Sequence, residues 1–269
     1  CIRDSPYVNA MFIAARKASK SLLRDFGEVE NLQVSLKGVS NFVSKADTQS
    51  ERVLIKELSY LYPKFNILSE EKGEIKNSDG SMRWIIDPLD GTTNFLFSIP
   101  HFAITIALEK DGKIIAGIIY QPLTDELFWA VQGKGSFCNN KRLRVSSRDQ
   151  LENCIVGTGI PHRGLPEHEE YLPGLKKVMS KVAAVRRLGV ASLDLAYVAA
   201  GKFDGYWERN LKIWDIAAGS LIVSEAGGSV TDLIGRETYL QSGNIAASNF
   251  SIHKDLLLSL IHISEPTRQ

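Results

Sequence analysis

Hydrophobic positions near the start of the chain recur with the spacing of amphipathic helices. Apolar side chains across Tyr7–Asp25 fall three and four residues apart, which predicts a helix that ends at Gly27. Asp47 and Thr48 are then expected to cap a second helix, and Pro63 is expected to end it. The beginning of the chain therefore predicts a pair of helices.

Apolar runs of strand length follow. Trp84–Ile86, Ala103–Leu108 and Lys113–Tyr120 predict β-strands, and Asp111-Gly112 predicts a hairpin turn between the last two. Strands interleaved with helix pairs are typical of a layered α/β fold. Further strands are predicted at Leu127–Val131, Arg142–Val145 and Leu151–Thr158. Further helices are predicted at Ser192–Ala200 and Trp214–Ala226.

The composition is that of an ordinary globular chain. Its 269 residues are 44% hydrophobic and 23% charged, and 32 basic against 31 acidic side chains leave a formal net charge of +1. This near-neutral balance does not indicate binding to nucleic acid or an anionic membrane surface, although it does not exclude a transcription factor as partner. The three cysteines are too few for a disulfide scaffold. We therefore expect a soluble cytoplasmic protein.

The two ends of the chain resemble the in-frame translation of a sequencing adapter. The peptides concerned are Cys1–Ser5 and Leu258–Arg268. We therefore expect one domain at residues 6–257, with an N-terminal α+β half at about 6–150 and a C-terminal α/β half at about 151–257. Residues 1–5 and 258–269 are expected to be adapter-derived tails that contribute nothing to the fold.

The segment Trp84–Phe95 carries the most informative chemistry. A short apolar strand runs into Asp87 and Asp90, which are three residues apart. Pro88 fixes one backbone angle between them, and Gly91 permits a tight turn. Such a bend can aim both carboxylates at one point, and hard oxygen ligands of this kind suit Mg²⁺. A turn that uses Asp and Gly for geometry alone is the other interpretation.

Two further acidic positions strengthen the interpretation as a metal site. Glu70, in the doublet Glu70-Glu71, follows a predicted strand at Phe65–Leu68. Asp215 lies at the start of a predicted helix, where a carboxylate is commonly a cap alone. Its apolar neighbours place Asp215 at the edge of a buried element, where an unpaired charge is costly. A metal ion is one way to satisfy that charge.

With these motifs the chain resembles the bacterial branch of the inositol monophosphatase family. The similarity rests on the paired signatures Asp87–Phe95 and Trp214–Gly228, together with Ile67–Glu71, and covers essentially all of residues 6–257. It implies the αβαβα sandwich of the sugar-phosphatase superfamily. It also implies assembly as a homodimer and inhibition by Li⁺.

The resemblance implies a cofactor of two or three Mg²⁺ ions per site. It places the first ion on Glu70, Asp87 and the carbonyl of Leu89. It places the second on Asp87, Asp90 and Asp215, with Asp87 bridging the two. The ions then drive a two-metal in-line displacement at phosphorus.

The resemblance also assigns roles in catalysis and in substrate binding. Glu70 and Thr92 would orient and deprotonate the attacking water, and Asp47 would orient the hydration shell of the metal. Glu208 would accept hydrogen bonds from inositol hydroxyls. The full set of implied substrate contacts is Asp90, Gly91, Thr92, Gly189, Val190, Ala191, Glu208 and Asp215.

The function that these assignments imply is hydrolysis of myo-inositol 1-phosphate or a related polyol phosphate. Phosphatases of the same fold for histidinol phosphate, fructose-1,6-bisphosphate or 3′-phosphoadenosine phosphates would share every metal ligand, so they stay as alternatives. A protein that binds the transcription machinery, with secondary phosphatase activity, is the alternative outside catalysis. Five acidic side chains that converge on one site favour the enzyme.

Overall fold

The computed structural model describes residues 5–29, 36–161 and 168–260, with side chains except at 29 and 36–44. These residues form eight helices and thirteen strands. The helices are α1 (Pro6–Val29), α2 (Leu36–Leu61), α3 (Thr92–Leu96), α4 (His168–Met179), α5 (Ala191–Ala199), α6 (Ile213–Glu225), α7 (Tyr239–Ser242) and α8 (His253–Leu260). None of the described helices is long and apolar enough to span a bilayer.

The strands divide between two sheets. The first eight form one sheet in the order β2-β1-β3-β4-β5-β6-β7-β8, and the other five form a second in the order β10-β9-β11-β13-β12. Their bounds are β1 (Phe65–Ser69), β2 (Gly73–Ile75), β3 (Asp79–Asp90), β4 (Ala103–Lys110), β5 (Lys113–Gln121), β6 (Glu126–Val131), β7 (Gly135–Cys138), β8 (Lys141–Arg142), β9 (Ile155–Thr158), β10 (Ala184–Arg186), β11 (Gly205–Glu208), β12 (Gly228–Thr231) and β13 (Ile245–Asn249).

Helices and sheets stack in five layers. α1 and α2 cover one face of the eight-stranded sheet. α5 and α6 lie between the two sheets and contact strands of both. α4 packs against α8, and α8 covers the five-stranded sheet at β13. This order is the αβαβα sandwich, and the predicted fold class is confirmed.

Apolar side chains fill each boundary between layers. Met11, Leu22 and Leu54 of the outer helices pack in one core cluster with Trp84 of β3, all without solvent exposure. Between the sheets, α6 approaches β5 so closely that a side chain at Gly117 would lie 2.9 Å from the backbone of α6. Burial of this apolar surface is the main stabilising contribution, and it fixes the helix that carries Asp215 against the sheet that carries Asp87.

Several predicted boundaries need correction. α1 runs to Val29 rather than ending at Gly27, and α2 begins at Leu36, so that Asp47 and Thr48 lie within a helix instead of capping one. Asp47 is buried inside this longer helix and is not a residue at its start. Of the predicted strand at residues 142–145, only Arg142 lies in β8. The N–H of Leu143 still donates to Ser136 of β7 over 2.8 Å, and the N–H of Val145 donates to the carbonyl of Ala226 at the end of α6 over 3.2 Å. Residues 151–153 form a short 3₁₀ turn before β9.

The predicted boundary at residue 257 falls inside a helix. α8 continues through residues 258–260, and Leu260 packs in the outer core cluster with Tyr171 and Val156. At the other end, Ser5 accepts a hydrogen bond from the N–H of Asn9 over 3.1 Å at the start of α1. These four residues therefore contribute to the fold. The rest of both predicted tails lies outside the described residues, and their adapter origin stays a prediction.

Candidate active site

Glu70 lies in the turn after β1, beside the strand that carries Asp87. β1 and β3 are parallel neighbours, with Ser69 opposite Ile86. The N–H of Glu70 donates to the carbonyl of Ile86 over 3.3 Å. Strand register alone therefore places residue 70 next to residue 87.

A one-residue bulge in β3 sets the relation between Asp87 and Asp90. Asp87 pairs with Thr105, whereas Asp90 pairs with the residue two positions earlier on β4. Alternation along a regular strand would place residues 87 and 90 on opposite faces, and the extra residue returns them to the same side. The bulge is held locally, because Leu89 N–H donates to the Asp87 carboxylate over 2.9 Å and the Thr92 hydroxyl donates to the Leu89 carbonyl over 2.9 Å.

Asp215 reaches the same place from α6. Thr105 is paired with Asp87 on the neighbouring strand β4. Its hydroxyl donates to the carbonyl of Trp214 over 2.9 Å. One carboxylate oxygen of Asp215 accepts the N–H of Lys212 over 2.7 Å, which caps the first turn of the helix. The cap interpretation and the metal interpretation of this residue are therefore compatible, since the cap uses one of its two carboxylate oxygens.

The loop after Asp90 lies against the start of α5. The N–H of Ser192 donates to the Asp90 carboxylate over 2.9 Å. Gly91 has a φ of +92°, and a Cβ there would lie 2.7 Å from the Val190 side chain. The predicted substrate contacts at residues 90–92 and 189–191 therefore lie in two segments that pack against each other, and the side chains of Val190 and Ala191 are themselves buried.

Asp47 faces this site from α2. It is buried, and one of its carboxyl oxygens has no hydrogen-bond partner among the described residues. Burial, followed by repulsion from Glu70, Glu71 and Glu51, raises the pKa of Asp47 to about 8. An orphaned buried oxygen of this kind suits a group that orients a hydration shell.

The remaining carboxyls of the cluster also have raised pKa values. Burial is the main cause for Glu70, Asp87 and Asp90. Repulsion from Asp90, Glu70 and Asp215 adds to the shift of the Asp87 pKa. Burial and then repulsion from Asp90 raise the pKa of Asp215 to about 8. The cluster therefore repels itself when ionised, and a cation would reverse that repulsion.

The donor set fits Mg²⁺. Carboxylate and carbonyl oxygens are the ligands that this ion prefers, and the acidic cluster supplies the compensating charge. In the part of the chain that the structure describes, no three acidic, histidine or cysteine side chains converge closely enough to hold an ion as they stand. Binding would therefore draw the carboxylates closer together, and the assignment of individual ligands stays a prediction.

Glu208 lies at the rim of the same site, at the end of β11. Its carboxylate accepts a hydrogen bond from the hydroxyl of buried Tyr206 on one side. On the other side it occupies space that a Cβ at Gly159 would overlap. Burial raises the pKa of Glu208 to about 7, and repulsion from Asp90 adds to the shift. The structure thus brings the predicted inositol contact into electrostatic reach of a predicted metal ligand.

Asn94 fixes the loop that carries residues 189–191. Its side-chain amide donates to the carbonyl of Leu188 and to that of His101, each over 2.9 Å. Gly189 in this loop has a φ of +81°, and its missing Cβ leaves room for the Arg187 guanidinium. The loop is therefore tied to α3, which directly follows the Asp87–Gly91 segment.

Sequence reasoning gave no role to four residues that hold this site together. Asn94 lies inside the Asp87–Phe95 motif, and its position there is a signal from which a role could be predicted. Ser50, Thr105 and Ser192 act through contacts with residues 38 to 109 positions away, and no local pattern marks them.

Comparisons with known proteins identify a family. Residues 4–265 match the model of a family described as the inositol monophosphatase family. A curated relative named Inositol-1-monophosphatase, from Rhizobium meliloti (strain 1021), is 54% identical over 252 residues, which cover 94% of this chain and 95% of that protein. A relative named Nus factor SuhB, from Escherichia coli (strain K12), is 40% identical over 255 residues and covers 95% of this chain and 96% of its own.

A solved structure shows the same architecture. The crystal structure of extragenic suppressor protein suhB from Bartonella henselae superposes with a TM-score of 0.88 at 52% identity. The match covers 95% of this chain and 98% of that one. Similarity in structure therefore extends over nearly the whole chain.

Proposed function

The chain belongs to the inositol monophosphatase family, and we propose that it is a Mg²⁺-dependent phosphomonoesterase that hydrolyses myo-inositol 1-phosphate or a related polyol phosphate. The observation that carries this proposal is the gathering of Glu70, Asp87, Asp90 and Asp215 from a turn, a bulged strand and a helix start. Members of the family generally use Mg²⁺. A partly buried acidic cluster that repels itself has little structural use without a cation.

Each residue of the site has a task in this proposal. Glu70, Asp87, Asp90, Asp215 and the carbonyl of Leu89 would hold two or three ions. When bound, Mg²⁺ supplies charge neutralisation and an acidified water for in-line displacement at phosphorus.

The chain's own groups position the reactants. Glu70 would accept the proton of the attacking water, and the Thr92 hydroxyl, next to the Leu89 carbonyl, would orient that water. Asp47 would hold further water with its unpartnered oxygen. Because uncatalysed hydrolysis of a phosphomonoester is extremely slow, most of the acceleration has to come from positioning and charge neutralisation.

Phosphate release across a panel of phosphomonoesters tests the proposal. The panel includes myo-inositol 1-phosphate, histidinol phosphate, fructose-1,6-bisphosphate and 3′-phosphoadenosine phosphate, each with Mg²⁺ and with EDTA. We expect Mg²⁺-dependent release with the highest kcat/KM on the inositol ester. Preference for another ester would select an alternative of the same fold, and undiminished release in EDTA would refute the metal mechanism.

A change at Glu208 is expected to alter specificity. If its carboxylate accepts hydrogen bonds from ring hydroxyls, Glu208→Gln should weaken turnover of inositol phosphate by about 1–3 kcal/mol. Turnover of a phosphate ester without those hydroxyls should stay the same, and kcat/KM on the two esters measures the difference.

Glu170→Gln is a control for the Glu208 variant. Glu170 is an exposed acid on α4 whose partner is Arg209 at 3.3 Å, so its replacement should leave both esters unaffected. Equal losses on both esters in Glu208→Gln would instead place that residue in the catalytic or structural machinery.

A binding role in transcription is the second candidate. The name of the Escherichia coli relative favours it, at lower identity than the relative named as a phosphatase. The Asp215→Asn variant separates the two candidates, since catalysis needs this carboxylate and a binding surface elsewhere does not.

Assembly and localisation belong to the same proposal. We expect a cytoplasmic homodimer inhibited by Li⁺, because the family resemblance implies each of these properties. Light scattering measures the oligomeric state, and titration of phosphate release with Li⁺ measures the inhibition.

A further inference from the structure

The turn that carries Glu70 is held by a buried glutamate of α2. Glu51 has no solvent exposure. Its Oε1 accepts the N–H of Glu71 over 3.1 Å and the N–H of Lys72 over 3.0 Å. The same oxygen accepts a hydrogen bond from the hydroxyl of Ser69. Three donors, from residues 69, 71 and 72 on either side of Glu70, therefore converge on one atom.

The same helix turn also contacts the second ligand-bearing segment. Ser50, directly before Glu51, is buried, and its hydroxyl donates to the carbonyl of Pro88 over 3.0 Å. Pro88 lies between Asp87 and Asp90. Adjacent residues of α2 thus fix both the turn at Glu70 and the bulge of β3, and so fix their separation.

This arrangement is energetically costly in its own right. The Oε2 atom of Glu51 has no hydrogen-bond partner among the described residues, and no cation of that part of the chain pairs with its carboxyl. The carboxylate also repels Asp47 and Glu70. Burying a charged group without a counter-ion is unfavourable. The three hydrogen bonds to the turn offset that cost, and their effect is local to Glu70.

We propose that Glu51 is a positioning residue for the reaction, which fixes the turn at residues 69–72 so that the Glu70 carboxylate faces Asp87. The catalytic part of this proposal rests on the proposed function. The structural part, that one carboxylate oxygen of Glu51 holds the turn, is independent of it. Glu51 touches neither substrate nor metal in this proposal, and it acts only through Glu70.

Glu51→Ala tests the proposal. Removing the acceptor leaves the buried Ser69 hydroxyl and the partly buried N–H groups of Glu71 and Lys72 without their partner, so the turn should loosen and Glu70 should lose its orientation. We expect the Mg²⁺ concentration for half-maximal phosphate release to rise about 10-fold or more, the usual scale for a residue that orients a ligand. The KM for myo-inositol 1-phosphate at saturating Mg²⁺ should change less than about twofold, because the substrate contacts lie elsewhere.

Hydrogen exchange supplies a measurement that does not depend on activity. In protein without metal, the amides of Glu71 and Lys72 should exchange faster in Glu51→Ala than in wild type. Glu51→Gln retains an amide oxygen that can accept the same three bonds. It should therefore keep amide protection and Mg²⁺ dependence near wild-type values.

Glu57→Ala is the matched control. Glu57 lies on the same helix and pairs with Lys17 over 2.6 Å at the surface. Its loss should leave the Mg²⁺ dependence and the two amides unchanged. If Glu51→Ala does not fold, Glu51→Asp, which retracts the carboxylate by one methylene, should shift both measurements in the same direction.

The possible outcomes are distinct. Unchanged Mg²⁺ dependence and amide exchange in Glu51→Ala, or in Glu51→Asp if the first does not fold, would overturn the proposal. A loss in Glu51→Gln as large as in Glu51→Ala would also overturn it, since the charge and not the acceptor would then matter. Wild-type protein that releases no phosphate with Mg²⁺ would count against the proposed function alone, and amide exchange would still test the turn.

Discussion

Asp215→Asn is expected to lower phosphate release by about 1,000-fold, the upper range for removing one group that stabilises charge in a transition state. The variant should be at least as stable as wild type without metal. Burial raises the pKa of Asp215 to about 8 from 3.8. A raised carboxyl pKa penalises the folded state at every pH above the unfolded value, and asparagine removes that penalty.

The stability difference has a defined pH dependence. It should be absent below about pH 4, where Asp215 is protonated in both states, and should grow as the pH rises towards about 8. Added Mg²⁺ should then raise the melting temperature of wild type more than that of the variant, because binding to the folded state stabilises it. Melting curves with and without Mg²⁺, beside phosphate release, measure both effects.

Asp255 offers a control at an equivalent helix position. Asp255 is the third residue of α8, as Asp215 is of α6, but it lies outside the acidic cluster. Asp255→Asn should therefore alter neither activity nor the response to Mg²⁺. Substantial activity in Asp215→Asn would remove this carboxylate from the mechanism.

Elements with a strong apolar pattern could be predicted from the sequence. The helix at α1 follows from its apolar spacing. The hairpin of β4 and β5 and the helices α5 and α6 are buried on nearly every side, and they follow instead from continuous apolar runs. Elements without either pattern could not be predicted. The residues of β13, Ile245–Asn249, are mostly small and are buried on both faces, so they show no alternation. α4 contains Pro173 within the helix, which argues against a helix locally.

The candidate site divides in the same way. Asp87, Asp90, Glu70 and Asp215 could be selected because acidic residues next to apolar runs are unusual in a local reading. Their relative placement could not be predicted, since it depends on the bulge in β3 and on contacts between distant residues. Glu51 shows the limit, because its sequence position is that of an ordinary helical acid and only packing shows that it is buried.

The bulge and the start of α5 meet at Gly91, where the second large effect is expected. Gly91→Ala would place a Cβ 2.7 Å from the Val190 side chain and 3.2 Å from the carbonyl of His101, at a φ of +92°. Left-handed backbone costs about 1–2 kcal/mol for a residue with a side chain, and overpacking a core costs about 1–3 kcal/mol more. We expect the free energy of unfolding to fall by about 2–5 kcal/mol on the sum of these contributions.

Activity should fall with it, because Asp90 and Thr92 flank the displaced residue on either side. Gly112→Ala separates strain from displacement. Gly112 has a φ of +78° in the hairpin turn, and a Cβ there would meet nothing within 4 Å. This control should therefore lose only about 1–2 kcal/mol of stability and keep its kcat. Urea unfolding measures the difference in the free energy of unfolding. Phosphate release at a temperature where both variants are folded measures the difference in kcat. If Gly91→Ala lost no more than Gly112→Ala in either measurement, the close packing of the Asp90 loop against α5 would not be required for the site.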